Sequence, residues 1–191
     1  MTFASRVTAP ASAVRKAARP TLRSQVFAVI LLLALCASNP PVHAAGPQAN
    51  LAVPDVTFRT SQDESVRTTD LKSDVAFIYL WATDCKACAA MRDAAERLNR
   101  RFAAQGVRFL SVNEDAAQRT WKDYMAQNPS ASIEVWDKDH AFRRQIHASH
   151  LPAALIVDRS GQIRWRSDWA ADAEAKASTQ LSSVLQEPPS K

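Results

Sequence analysis

The chain has 191 residues, of which 47% are hydrophobic and 23% charged, a composition typical of one globular domain with a short appendage. Its three glycines are scattered, so no glycine-rich loop is present, and this disfavours nucleotide folds that depend on such a loop. The net charge of +5 arises in the first 44 residues, and we therefore expect no nucleic-acid binding by the remainder.

The first 44 residues have the pattern of an export signal. Five basic residues and no acidic residue occur there, and the basic residues precede the apolar run 26–37, which is shorter than the roughly 20 residues that cross a bilayer. Prolines follow the run, and Val42-His43-Ala44 suits a signal peptidase. The sequence predicts a signal peptide at 1–44, cleaved near Ala44, and a periplasmic or otherwise exported protein.

Two alternatives for this leader stay open, an uncleaved membrane anchor and a lipoprotein acylated at Cys36. Leu35 weakens the second, because it occupies a position where lipoprotein signals usually carry a small residue.

Removal of the leader would leave two cysteines, Cys85 and Cys88, in a single Cys-x-x-Cys. An oxidising compartment favours disulfides, but a loop this small constrains the unfolded chain little, which makes a purely structural disulfide a poor explanation. Redox exchange and metal ligation are the chemistries that this spacing leaves.

Along the rest of the chain, a loose segment at 45–51 precedes a weak strand at 53–59 and a second short strand near Val66. The run Val75–Trp81, VAFIYLW, is typical of a central strand buried on both faces, and it leads directly to the cysteines.

An amphipathic helix follows Cys85 and ends at Gly106. Its apolar positions are Ala87, Ala90, Met91, Ala94, Leu98 and Phe102. Its polar side holds Arg92, Asp93, Glu96, Arg97 and Arg100.

The remaining elements alternate between strand and helix. Strands are predicted at 107–112, 133–136, 153–157 and 162–166, and helices at 115–127, 138–147 and 170–185. A strand, a crossover helix and a second strand imply parallel pairing. No linker divides the chain after the leader.

A strand that feeds a helix whose first turn carries Cys-x-x-Cys is the arrangement of the thioredoxin fold. The segment 81–88, WATDCKAC, is similar to the W-A-x-W-C-x-x-C signature of that superfamily, and 151–161 resembles its cis-proline strand and hairpin. With the export signal, the chain most resembles the exported TlpA/ResA-like thiol-disulfide oxidoreductases, over about residues 52–187.

This resemblance implies a thioredoxin-like, three-layer α/β/α domain with a central mixed sheet at 52–187, followed by a tail at 188–191. It also implies reduction of disulfides in exported client proteins, a membrane thiol-transfer protein as the source of electrons, a monomer, and no cofactor beyond the redox-active cysteine pair.

The chemistry of the pair assigns different roles to its members. A thiolate attacks disulfides and is stabilised at a helix N-terminus, which favours Cys85 as the attacking residue. Cys88, predicted one turn inside the helix, resolves the mixed disulfide. Lys86 would support the Cys85 thiolate and Asp84 would oppose it, although a solvated surface lysine is an equally good interpretation of Lys86.

The resemblance implies that Pro152 is cis and lies beside the sulfurs, with the Leu151 backbone presented to the substrate. An ordinary trans proline is the alternative. Trp81 is included with them as a substrate-site residue, with a plain core aromatic residue as its alternative.

Three positions depart from the family. Asp84 replaces the usual aromatic residue, Met91 stands where cytochrome-maturation members carry a buried glutamate, and Tyr79 stands where thioredoxins carry a buried acid. Neither Met91 nor Tyr79 supplies a buried carboxylate to take the proton from Cys88, which argues against a cytochrome c maturation role and leaves water or a partner group for that task.

Two other classes of function are compatible with the sequence. Cys85 and Cys88 with His150, and with His147 as a fourth donor, would suit zinc or copper binding and delivery. A thioredoxin-fold binding module without catalysis is the third class, against which the intact cysteine pair argues.

Overall fold

The computed structural model describes residues 51–188 of the chain. The predicted signal peptide with Cys36, the predicted segment 45–51 up to residue 50, and residues 189–191 of the predicted tail lie outside the described residues. No described helix is both long and apolar enough to cross a membrane.

Residues 51–188 form one sheet of eight strands and four α-helices. The strands are β1 (Leu51–Ala52), β2 (Thr57–Thr60), β3 (Ser65–Arg67), β4 (Val75–Trp81), β5 (Val107–Asn113), β6 (Ile133–Trp136), β7 (Ala153–Val157) and β8 (Gln162–Ser167). The helices are α1 (Cys88–Phe102), α2 (Gln118–Gln127), α3 (Ala141–Gln145) and α4 (Ala173–Gln186). The strand order across the sheet is β1-β8-β7-β4-β5-β6-β2-β3.

Strand β4 is the central strand that the apolar run predicts, and every one of its residues is buried. It pairs in parallel with β5, with Trp81 opposite Asn113, and antiparallel with β7, with Leu80 opposite Ala153. Strand β6 extends the parallel part of the sheet. The predicted parallel pairing and the predicted mixed sheet are therefore confirmed.

Each face of the sheet has its own core, because successive side chains of a strand point to opposite faces. On one face, Tyr79 and Trp81 pack in a cluster that includes buried residues of α1, α2 and α4. On the other face, Ile78 and Leu80 pack with residues of α3 and of a short 3-10 helix at Thr68–Leu71. Helices cover both faces, which gives the three layers.

Helix α1 continues through a 3-10 turn at Ala103–Gln105 to Gly106, as predicted. Gly106 has a φ of 88°, in the left-handed region that favours glycine because side chains with a Cβ are strained there.

Some predicted boundaries are wrong. The predicted strand at 53–59 is interrupted near Pro54, whose carbonyl accepts the Thr68 hydroxyl at 2.6 Å. Helix α3 covers five residues rather than 138–147, and the Asp137 carboxylate accepts the N–H groups of its first residues, Ala141 and Phe142. These interactions arise from side chains that local patterns do not reveal.

Candidate active site

Cys85 and Cys88 are joined in a disulfide with an S–S distance of 2.06 Å. The pair lies between the carboxyl end of β4 and the start of α1. Cys85 is partly exposed, whereas Cys88 is only 1% exposed. An approaching thiol or disulfide therefore meets Cys85 first.

Helix α1 begins at Cys88, so the prediction that its first turn carries both cysteines is wrong. Residues 82–87 form turns instead, in which the Cys85 N–H donates to the Ala82 carbonyl at 3.2 Å. The Cys88 N–H donates to the Cys85 carbonyl at 3.0 Å. Cys85 thus precedes the helix and lies next to its positive end, a position that favours a thiolate.

The two charged residues beside Cys85, Asp84 and Lys86, are both exposed. Within residues 51–188, neither side chain takes part in a hydrogen bond or an ion pair with another residue. Exposed charges are screened by solvent, so any effect on Cys85 is small. A tuning role for these two residues stays a prediction.

Trp81 is completely buried at the end of β4. Its indole N–H donates to the Ser111 hydroxyl at 2.8 Å. The ring offers no surface to a client in this structure, so the substrate-contact interpretation of Trp81 is wrong here and the core-aromatic alternative fits.

The segment before β7 lies beside the disulfide end of β4. The Leu80 to Ala153 pairing places Pro152 next to Trp81, and the Leu151–Pro152 peptide bond is cis. Pro152 is buried, whereas Leu151 is partly exposed and packs against both cores. Of these residues, Leu151 has side-chain surface that a client could contact.

The histidines of the metal-binding alternative do not join the cysteines. His150 faces Asp168, with its Nε2 atom 3.9 Å from the carboxylate. Within residues 51–188, no group of three or more His, Cys, Asp and Glu side chains is arranged to hold a metal ion. The proposed ligand set of Cys85, Cys88, His147 and His150 is therefore not assembled.

A buried carboxylate that the sequence analysis missed reaches the loop before Cys85. Asp115 Oδ1 accepts the Thr83 N–H at 2.8 Å and the Thr83 hydroxyl at 3.0 Å. The sequence predicts Asp115 as the first residue of a helix, but α2 begins at Gln118. The sequence does hold one indication of this contact. Asp115 closely follows β5, and the carboxyl ends of parallel neighbouring strands lie side by side, which places Asp115 near the end of β4.

Arg92 occupies the opposite environment from the predicted one. The helical pattern places it on the polar side of α1, yet it is only 9% exposed. Its guanidinium carbon lies 3.8 Å from the centroid of the Trp81 ring and 4.9 Å from that of Tyr124. Arg92 is one helical turn beyond Cys88, and its guanidinium group also contacts Met125 Sδ at 3.7 Å.

Glu134 of β6 is the anion that accompanies Arg92, at an N to O distance of 3.9 Å. Both carboxylate oxygens are buried without a hydrogen-bond partner among residues 51–188. Burial raises the pKa of Glu134 to about 6, although the Ser111 hydroxyl and the positive charge of Arg92 partly lower it. Glu134 is thus a buried carboxylate contributed by β6, a strand distant in the chain from Met91 and Tyr79.

Comparisons with known proteins agree with this geometry. A family model described as the AhpC/TSA family matches residues 49–166. The thiol-disulfide oxidoreductase ResA of Bacillus subtilis is 21% identical over 140 residues, which cover 70% of this chain and 78% of ResA. The thioredoxin-like protein YneN of the same organism is 23% identical over 121 residues, covering 62% of this chain and 71% of YneN.

Solved structures share the fold. A protein described as a DsbE-type thiol:disulfide interchange protein, from Chlorobium tepidum, has a TM-score of 0.68 at 19% identity, covering 72% of this chain and 97% of that one. A secreted Mycobacterium tuberculosis disulfide oxidoreductase has a TM-score of 0.59 at 13% identity, covering 68% and 96%. The predicted thioredoxin-like fold and the predicted resemblance to ResA-like proteins are confirmed.

Proposed function

Because the chain belongs to the AhpC/TSA family and holds Cys85 and Cys88 in a disulfide, it is a thiol-disulfide oxidoreductase, and we propose that it reduces disulfides of exported client proteins. The observation that carries this proposal is the unequal exposure of the two sulfur-bearing residues. Cys85 is partly exposed at the positive end of α1, and Cys88 is buried directly behind it.

In the first step, the Cys85 thiolate attacks one sulfur of a client disulfide. The client S–S bond breaks, its second sulfur leaves as a thiolate and takes a proton from solvent, and a Cys85-client disulfide forms. Exposure of Cys85 and the positive helix end beside it support this role.

In the second step, the Cys88 thiolate attacks the Cys85 sulfur. The mixed disulfide breaks, the reduced client leaves, and the Cys85–Cys88 disulfide forms, so that two electrons pass to the client. Cys88 loses its proton before this attack. Water or a group of the partner protein would accept that proton.

Client recognition is assigned to the surface beside Cys85. Leu151 and Pro152 form the neighbouring segment, with Leu151 partly exposed and Pro152 buried behind it. Asp84 and Lys86 add one charge of each sign next to the sulfur and would adjust its reactivity.

The cellular setting is proposed from the leader and from relatives. The predicted signal peptide at 1–44 and the secreted Mycobacterium tuberculosis neighbour support export. A membrane thiol-transfer protein would return the disulfide to the dithiol state, the protein would act as a monomer, and no cofactor beyond the cysteine pair would be required.

Equilibration in glutathione redox buffers, read by mass spectrometry after alkylation of free thiols, tests both the exchange and its direction. A potential near that of thioredoxin, roughly −270 mV, supports a reductase, whereas one near roughly −120 mV supports an oxidant. Cysteines that never exchange with glutathione would overturn the proposal.

A further inference from the structure

One side chain, that of Asp115, accepts every side-chain hydrogen bond that the described residues form with the loop that carries Cys85. Within residues 51–188, the only side-chain hydrogen bonds that reach residues 82–87 are the two from Thr83 to Asp115 Oδ1, at 2.8 Å and 3.0 Å. The other hydrogen bonds of this loop are turn hydrogen bonds within the backbone, while Cys85 also packs against the core and is bonded to Cys88. Asp115 is therefore the loop's lateral support.

Asp115 is itself held in a fixed position. Its second oxygen, Oδ2, accepts the Asn113 amide at 3.2 Å, and its own N–H donates to Asn113 Oδ1 at 2.9 Å. The Trp136 indole N–H donates to its carbonyl at 2.7 Å. Because Asn113 and Trp136 end β5 and β6, the carboxylate has the rigidity of the sheet.

Burial of this carboxylate is costly for the fold. Asp115 is 6% exposed, and none of the ion pairs among residues 51–188 includes it. A buried carboxylate is tolerated when donors surround it, and three donor groups from Thr83 and Asn113 do so here. Two of these three donors come from the loop before Cys85.

We infer that Asp115 is a positioning residue for thiol-disulfide exchange, acting through Thr83. This inference rests on the proposed function. In the oxidised protein the Cys85–Cys88 bond itself restrains the loop. In the dithiol protein that bond is gone, and the hydrogen bonds to Asp115 keep Cys85 close to Cys88.

This restraint has a predictable effect on the redox equilibrium. In the reaction with glutathione, the protein disulfide and two glutathione thiols give the protein dithiol and one glutathione disulfide, so two electrons and two protons pass to the protein. Loss of the restraint adds conformational freedom mainly to the dithiol, because the oxidised loop is still tied by its S–S bond. The protein disulfide then becomes less favoured, and its reduction potential rises.

Asp115 could also act through its negative charge. The loss of that charge would change the reduction potential in the same direction as the loss of the restraint. Removal of a negative charge near Cys85 would stabilise the thiolate and raise the potential too. Thr83→Val separates the two effects, because it removes one hydrogen bond and leaves the charge. Thr83→Ser keeps the hydroxyl and should behave as the wild type.

The experiment measures glutathione redox equilibria for wild type, Thr83→Val, Thr83→Ser and Asp115→Asn. For Thr83→Val we expect the equilibrium constant for disulfide formation to fall roughly twofold to tenfold, the range for one hydrogen bond. A tenfold fall equals about 30 mV for a two-electron couple. Asp115→Asn should shift the constant at least as far, in the same direction.

Asp137→Asn is the matched control. Asp137 is also a buried carboxylate that accepts two N–H groups, from Ala141 and Phe142, but it does not contact the loop. Circular dichroism checks that each variant folds. If Asp115→Asn does not fold, the comparison of Thr83→Val with the wild type still tests the inference.

The outcomes separate the two proposals. If wild type exchanges with glutathione but Thr83→Val matches it, or if Asp137→Asn shifts the potential as far as Asp115→Asn, the positioning role is overturned and the proposed function stands. If wild type does not exchange at all, the proposed function itself fails.

Discussion

The guanidinium group of Arg92 stacks on the ring of Trp81, with its central carbon 3.8 Å from the ring centroid. Trp81 ends the strand that leads to the disulfide, and Arg92 lies one helical turn beyond Cys88. The ring of Tyr124 also contacts this cation, with its centroid 4.9 Å from the same carbon. A buried cation therefore lies one helical turn beyond the disulfide, in contact with two aromatic rings and with the carboxylate of Glu134.

Replacement of Arg92 tests how far the fold depends on this arrangement. Arg92→Ala leaves Glu134 buried without its cation and removes packing from Trp81, so we expect a loss of about 3 to 5 kcal/mol in the free energy of unfolding. Urea denaturation of the oxidised proteins measures it. Arg97→Ala, on the exposed side of the same helix, removes a surface ion pair with Glu174 and should cost far less. Equal losses in the two variants would contradict the buried-pair interpretation.

Glu134 should give stability an unusual dependence on pH. Burial raises its pKa from the ordinary value of 4.5 to about 6. The folded state therefore holds the Glu134 proton more tightly than the unfolded state, and the contribution of Glu134 to stability should fall as pH rises from about 4.5 to about 6. The contribution is about 2 kcal/mol, and it is fully lost above that window.

Glu134→Gln should remove this fall, which denaturation at a series of pH values would show. Glu174→Gln is a control of opposite sign, because the hydrogen bond from Arg97 lowers the pKa of Glu174, so the contribution of that residue is lost as pH falls. A pH profile that Glu134→Gln leaves unchanged would count against a perturbed Glu134.

The division of labour between the sulfurs can be tested by trapping. In an exporting bacterial host, Cys88→Ser should accumulate a mixed disulfide with a client, because no resolving thiol is available, while Cys85→Ser should form none. Both variants also carry Cys36→Ser, which excludes trapping through the third cysteine. Non-reducing electrophoresis and mass spectrometry of the adduct would identify the client. Equal trapping by both variants would refute the assignment.

Gly106 gives a stability test far from the disulfide. Its φ is 88°, and a Cβ added to it would have no neighbouring atom within 4 Å, so Gly106→Ala meets backbone strain but no clash. We expect a loss of about 1 to 2 kcal/mol, the cost of a left-handed conformation. Gly106→Asn should lose less, and both should keep the wild-type glutathione equilibrium. A change in that equilibrium would indicate coupling along α1.

Local patterns in the sequence were sufficient for the strand before the cysteine pair and for the helix after it. The run Val75–Trp81 is buried throughout because it forms a central strand with helices on both faces, and such strands consist of continuous apolar residues. The period of apolar residues after Cys88 and the glycine at 106 likewise mark α1 and its end. Each of these features depends only on residues within one strand or one helix, so the local sequence is enough to predict it.

The tertiary structure alone decided which polar side chains support the site. Thr83 and Asp115 are separated by 32 residues, and they meet because the parallel pairing of β4 with β5 brings the ends of the two strands together. Arg92 has the helical position of a solvated residue, yet Trp81, Tyr124 and Glu134 from three other elements cover it. Burial of a charge depends on what packs over it, and hydrophobic periodicity within a single helix carries no information about those partners.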